Sequence, residues 1–169
     1  AQMAIILTRG IDLSVASNLA LSGMVSALFA AAFPSVPILL VLVLAIFVGA
    51  LFGLINGLLI ANLNIPPIVV TLGTLAIYRG LIFVIAGGAW LTTDDMSPAF
   101  VDFPKFNPLG INVLLWFAAL VAIGFYIFLN YSAAGRSLYA IGGNPVAARF
   151  CGINIPRHLL MVYALAGAV

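Results

Sequence analysis

The side chains able to do chemistry in this chain are few. Their types and spacing suit holding a ligand or a neighbouring helix rather than breaking a bond. His158 is the sole histidine and Cys151 the sole cysteine, so a Ser–His or Cys–His nucleophile has one base to draw on. No serine or threonine sits near that histidine in sequence. A single cysteine excludes an intrachain disulfide and a cysteine-based zinc site. The acids are Asp12, Asp94, Asp95 and Asp102, with no glutamate. The G-x-x-x-x-G-K-[ST], H-E-x-x-H and G-x-S-x-G patterns are absent, so this chain offers no P-loop for ATP, and no residue is cast as catalytic or metal-binding.

What remains is a set of neutral hydrogen-bonding groups in apolar surroundings. Ser14, Asn18, Ser22 and Ser26 recur every four residues, a stripe that drifts slowly round a helix. It reads either as small-residue helix packing, with hydroxyls bonding back to carbonyls, or as the hydrophilic wall of a translocation path. Thr71, Thr74 and Tyr78 follow at i, i+3 and i+7, and Arg79 comes next. An arginine inside an apolar span costs between roughly 3 and more than about 10 kcal/mol. It must therefore face protein or water, or snorkel. Asn56 lies beside Gly49, Gly53 and Gly57, which are spaced by four. The glycines predict close helix packing, with a moving contact in a transport cycle as the sharper alternative, and Asn56 predicts an interhelical hydrogen bond ahead of a path lining. Asp12 is expected to open a helix, capping free N–H groups and offsetting the dipole, with Arg9 as its ion-pair partner. The competing reading of Asp12 is an intramembrane proton relay.

These residues need elements to hold them, and the composition says which kind. Of 169 residues, 65% are hydrophobic and 6% charged, where a soluble domain carries about 25% charged residues. Mean hydropathy is +1.30. A water-facing surface cannot be assembled from so few charges, which excludes a soluble enzyme, a nucleic-acid binder and a disordered tail. The isoelectric point near 9.0 reflects a net charge of only +2. Residues 13–78 contain no charged side chain. As one helix they would reach about 100 Å, against a hydrocarbon core of roughly 30 Å, so they fold back into about three crossings. Pro34 and Pro37 mark one break; Asn62, Asn64, Pro66 and Pro67 mark the next. The expected spans are 12–33, 38–61, 66–87 and 110–130, separated by polar stretches at 88–109 and 131–157. The apolar runs are continuous rather than alternating, which excludes a β-barrel. The fold class is an all-α polytopic transmembrane bundle: four complete spans plus partial helices at both ends. The partial helices, with no initiator methionine or signal pattern, mark an internal piece of a longer membrane protein.

The 131–157 stretch carries Arg136, Arg149 and Arg157 and no acid; 88–109 carries Lys105 and three aspartates. The positive-inside rule therefore places 131–157 in the cytoplasm, 88–109 outside and Arg9 inside, with Trp90 and Trp116 near the interfacial belts. Within 131–157, Asn144 is a good helix cap, Pro145 suits the first helical position and Gly152 suits the position just past the end. Arg149 falls in the last turn, where a cation favours the dipole. So short a helix must dock on something. Gly142 and Gly143 before it, and Asn154–Pro156 after it, read as hinges, with Pro156 restarting a helix that leads into Leu159.

Several strings then stand together: Gly10–Ser17, Ile65–Thr74, Ile77–Gly80, Gly87-Gly88, Gly135–Pro145 with Ala147–Arg149, and Gly152-Ile153. In this order they resemble the permease subunits of ribose-type carbohydrate ABC importers (ribose, xylose, rhamnose and autoinducer-2 permeases) across essentially the whole chain. The stretches Leu7–Ser17, Gly88–Trp90 and Met96–Phe100 look most similar to rhamnose permeases. Many relatives have glycine where this chain has Arg9 and Ala16.

The resemblance implies that 1–169 is part of a single permease domain of about ten helices, with 131–157 a cytoplasmic loop carrying a coupling helix. It implies a multi-pass protein of the bacterial cytoplasmic membrane that moves a monosaccharide, rhamnose or similar, by alternating access. Its partners would be a cytoplasmic ABC ATPase, which holds ATP and Mg, a periplasmic or extracellular sugar-binding protein, and a second permease copy, identical or different. No cofactor would sit on this chain. Gly142, Gly143, Asn144, Pro145, Ala148, Arg149 and Gly152 would couple to the ATPase. Asp12, Ser14, Asn18, Asn56, Thr71, Thr74, Tyr78 and Arg79 would line or support the path, where neutral groups suit sugar hydroxyls. The alternatives are an ion-gradient-driven secondary transporter, for which Asp12 is the one carboxylate in the helices, and a non-transporting membrane assembly subunit.

Overall fold

The computed structural model describes residues 1–87, 92 and 96–169. The expectations that fall on Gly88, Trp90, Asp94 and Asp95 lie outside them. Nine α-helices follow one another among the described residues: α1 Gln2–Leu7, α2 Val15–Ala32, α3 Ile38–Leu63, α4 Pro67–Ile85, α5 Pro98–Asp102, α6 Val113–Tyr131, α7 Ala133–Gly143, α8 Pro145–Phe150 and α9 Ile155–Ala168. Helices α2, α3, α4 and α6 are long and apolar enough to cross a membrane, so the expected four spans are present with ends shifted by up to three residues. The punctuation works as anticipated. Helix α2 ends before Pro34. Asn64 takes a left-handed conformation, φ 54°, which an asparagine tolerates better than most side chains. Pro67 then starts α4 at the position where a missing N–H costs nothing.

The stretch 131–157 is not a polar loop with one short helix, because α7 fills residues 133–143. The physical reason is Ser132. Its hydroxyl donates to the carbonyl of Phe128 at 2.6 Å and accepts from the N–H of Gly135 at 2.8 Å. It thus ends α6 and caps α7 with one side chain. Gly135 allows the corner to close, since a Cβ there would strike the carbonyl of Phe128. Gly142 and Gly143, read as hinges, are the last two residues of α7.

The tightest helix pair is α3 against α9, antiparallel. Gly49 faces Gly167, Gly53 faces Tyr163 and Gly167, and Gly57 faces Leu160. A Cβ on Gly49 or Gly53 would strike a backbone carbonyl of α9. The expected glycine stripe is therefore a backbone-to-backbone seam. In lipid, close van der Waals packing replaces the hydrophobic drive that holds soluble helices together. Helix α2 lies against both α3 and α4. A buried apolar cluster of Ala4, Ile5, Ile60, Val70, Leu129, Leu138, Val162, Tyr163 and Ala166 ties α1, α3, α4, α6, α7 and α9 together. It gathers the C-terminal parts of α3 and α6 with the N-terminal part of α4, all at one end of the bundle. By contrast α6 buries only Val113 and Leu129 and presents Leu115, Leu120 and Ile123 outward, as a lipid-facing span would.

Candidate functional site

Two constructions share the end of the bundle where the buried cluster lies. The first is a break between α1 and α2. Residues Gly10–Ser14 are not helical, yet Asp12 and Ser14 are 8% and 1% exposed. Buried irregular backbone needs partners from neighbouring elements, and two of its carbonyls find them. The Gln2 side-chain amide donates to the carbonyl of Asp12 at 2.8 Å. The Thr71 hydroxyl of α4 lies 3.4 Å from the carbonyl of Ile11. Asp12 Oδ1 accepts from both the N–H and the hydroxyl of Ser14, at 2.8 and 2.7 Å. The Asn56 amide of α3 donates to that hydroxyl at 2.8 Å. This chain of bonds, Asn56 to Ser14 to Asp12, joins α3 to the break. Asp12 therefore does not cap the first turn of α2 as expected; its carboxylate folds onto Ser14, and the helix begins at Val15. It does not pair with Arg9 either, whose side chain goes elsewhere: Nε donates to the carbonyl of Gly142 at 2.6 Å and Nη2 to that of Gly143 at 2.8 Å.

The polar stripe of α2 is buried along its length at Ser14, Asn18, Ser22 and Ser26. Asn18 donates to the carbonyl of Gly49 at 3.2 Å, beside the glycine seam. Ser22 and Ser26 bond back to Leu19 and Ser22 carbonyls of their own helix, as does Thr74 to Val70. Tyr78 donates to the carbonyl of Phe52 at 2.9 Å, linking α4 to α3, and its ring stacks tilted on Phe52. Ser17 Oγ, Asn18 Oδ1, Asn56 Oδ1 and Tyr163 Oη are buried and have no protein partner among the described residues. Ser17 and Tyr163 escape a reading of the sequence; Ser17 lies between two stripe residues, but nothing in the pattern marks Tyr163. Arg79 parts company with Thr71, Thr74 and Tyr78: they are buried, while it is exposed on the outer face of α4. One residue past Tyr78 is about 100° of helix rotation, which is enough to carry it out of the interface.

The second construction is the elbow α7–α8–α9. Asn144 Oδ1 accepts from the N–H groups of Val146 and Ala147 at 3.0 and 3.1 Å, the cap its position predicted. Pro145 opens α8. Gly152, at φ +81°, takes the left-handed turn that ends it, and the N–H of Ile153 returns to the carbonyl of Ala148 at 3.1 Å. Asn154 then caps α9 through the N–H of Arg157 at 3.2 Å, so the helix restart expected at Pro156 is present and Asn154 is its cap rather than part of a hinge. His158 Nδ1 lies 2.8 Å from the carbonyl of Asn154, a contact served by the tautomer with its proton on Nδ1, and that nitrogen is not offered as a base.

The face α8 presents differs from the one expected. Ala148 is 3% exposed and turns into the protein. Val146 and Phe150, 64% and 89% exposed, flank Arg149. With Pro145 they line a shallow groove of about 260 Å³. Val146, Arg149 and Phe150 stand at i, i+3 and i+4, one helix face, and that spacing was the signal available in sequence.

The chain as a whole resembles known proteins. The chain is 38% identical over 96% of its length to the D-allose transport system permease protein AlsC of Escherichia coli, covering 49% of that protein. It is 37% identical to the galactose/methyl galactoside import permease protein MglC of the same organism, with 96% of this chain and 53% of that protein aligned. It is 36% identical to the ribose import permease protein RbsC of Haemophilus influenzae, at 96% and 50%. The chain thus spans about half the length of the curated relatives it matches. No solved structure matches it. Residues 1–169 match the family described as "Branched-chain amino acid transport system / permease component" over their whole extent, and this multi-pass helical chain belongs to that family.

Proposed function

We propose that this chain is part of the membrane-spanning subunit of an ATP-driven importer that moves a monosaccharide across the bacterial cytoplasmic membrane. Rhamnose is the first sugar to try, on the strength of Leu7–Ser17 and Met96–Phe100. The allose, galactose and ribose relatives support the sugar class. The observation that carries the reading is α8: under two turns long, capped at both ends, and presenting Val146, Arg149 and Phe150 outward. A helix this short has no stability of its own, so its caps keep a face in place for a partner. Two apolar side chains around one arginine suit a protein surface with a pocket and an acidic rim. In this reading that partner is the ATPase subunit, 131–157 lies in the cytoplasm and the α4–α6 connection lies outside. The chain itself breaks no bond. Its work is to hold α8, pass its displacement to the spans, and offer neutral groups along α2, α3 and α4 to hydroxyl-bearing cargo or to the helices that line its route.

The test is uptake of labelled rhamnose and ribose by proteoliposomes containing the full-length protein, its neighbouring ATPase and binding protein, with and without ATP. ATP-dependent uptake is expected. Uptake that ignores ATP and follows an ion gradient would overturn the reading and turn attention to Asp12.

A further inference from the structure

Arg9 occupies a place that nothing in the transport reading assigns. Its backbone is left-handed, φ 62°, a conformation glycine takes freely and an L side chain does not. The turn is held on both sides, by the N–H of Arg9 to the carbonyl of Ile6 at 2.9 Å and the N–H of Gly10 to that of Ile5 at 3.1 Å. From there the guanidinium reaches across the fold to the last two carbonyls of α7, at Gly142 and Gly143. A helix leaves its final carbonyls without helical donors, and a cation there also offsets the dipole. The two bonds leave from neighbouring nitrogens of one planar group, a fork that lysine cannot copy. Beside them the two helix ends touch directly: a Cβ on Gly142 would strike the carbonyl of Leu7. Residue 145, where α8 begins, is two positions further on.

On the other side of Arg9 the chain has no slack. Gly10 is pressed between Tyr163 and Ile5, whose nearest atoms stand 2.9 and 3.0 Å from where a Cβ would sit. Asp12 is held by Gln2 through its carbonyl, and Ser14 by Asn56. We infer that Arg9 is a positioning residue that fastens the α7–α8 elbow to the break between α1 and α2, so that displacement of α8 reaches the Asp12–Ser14–Asn56 bonds between the spans. The inference rests on the proposed role of α8. Its distinguishing feature is that a glycine at this position would relax the backbone and still sever the connection.

Arg9→Gly and Arg9→Lys are to be compared in the full-length protein with two readouts. The first is amide hydrogen exchange over residues 140–151 in the permease alone. The second is sugar taken up per ATP hydrolysed in the complete transporter. Loss of two exposed charge-assisted bonds leads us to expect about a tenfold fall in protection for Arg9→Gly. Uptake per ATP is expected to fall at least severalfold, and Arg9→Lys to lie between in both. Unchanged protection overturns the fastening, and Arg9→Lys provides the same test if Arg9→Gly does not fold. Reduced protection with unchanged uptake per ATP overturns the coupling role. If the unaltered transporter shows no ATP-dependent uptake while Arg9→Gly still loses protection, the transport reading fails and the fastening stands.

Discussion

Placing one methyl group on Gly53 tests the seam between α3 and α9. An ideal Cβ there would strike the carbonyl oxygen of Tyr163, with the carbonyl carbon at 3.0 Å and the Cα of Gly167 at 3.1 Å. All three are backbone atoms, so no rotamer change relieves the clash and the helices must separate. Separation by even about 1 Å loses a quarter to a half of each dispersion contact along the seam. It also opens Gly49 against Gly167, because both glycines lie on the same line. Overpacking of this kind costs about 1–3 kcal/mol. Against it stands a gain of roughly 0.5–1 kcal/mol from replacing a mid-helix glycine by alanine, so Gly53→Ala should cost a net ~0–2.5 kcal/mol and fall about 1–3 kcal/mol below glycine-to-alanine changes at open sites. Gly23→Ala and Gly124→Ala supply the control, since among the described residues nothing lies within 4 Å of a Cβ at either site; they should be neutral or slightly stabilising. Reversible unfolding of the full-length protein in mixed micelles reads all three. Gly53→Ala as stable as the controls would refute the argument that backbone contact, rather than side-chain packing, holds α9 to α3.

Three further expectations follow from single bonds or faces. Asn144→Ala removes the cap of α8 and should cost ~1 kcal/mol locally, seen as about fivefold faster amide exchange over 146–150 with global stability unchanged. Phe150→Ala and Arg149→Glu alter only the exposed face of α8, so each should leave the thermal stability of the permease within about 0.5 kcal/mol; co-purification with the ATPase should drop at least tenfold, and full retention would show that the face is not the docking surface. Asn56→Leu removes the donor to Ser14 in a position with no exposure, and should destabilise by ~1–3 kcal/mol; a neutral result in the same micelle assay would mean that the Asp12–Ser14 pair holds the break without α3.

The number of spans, their ends, the glycine seam and the cap at Asn144 were all legible in sequence, because each is a local consequence of side-chain chemistry. An uncharged run far longer than the bilayer must fold back. Proline and asparagine mark where it turns, and a cap needs only residues two or three positions away. What the tertiary structure alone decided concerns partners distant along the chain. Arg9 pairs with the end of α7 rather than with Asp12, three residues off. Asp12 turns to Ser14 because Asn56, from another helix, polarises the same hydroxyl. Helix α7 exists because Ser132 and Gly135 let the chain turn sharply against α6, although its composition reads as a polar loop. Arg79 follows a buried tyrosine yet faces outward, since one residue of rotation moves a side chain off the interface. Ala148, expected on the coupling face, is buried, while Phe150, to which the sequence assigned no role, is exposed: periodicity defines faces of α8, but only the packing of α7 and α9 selects which face is covered.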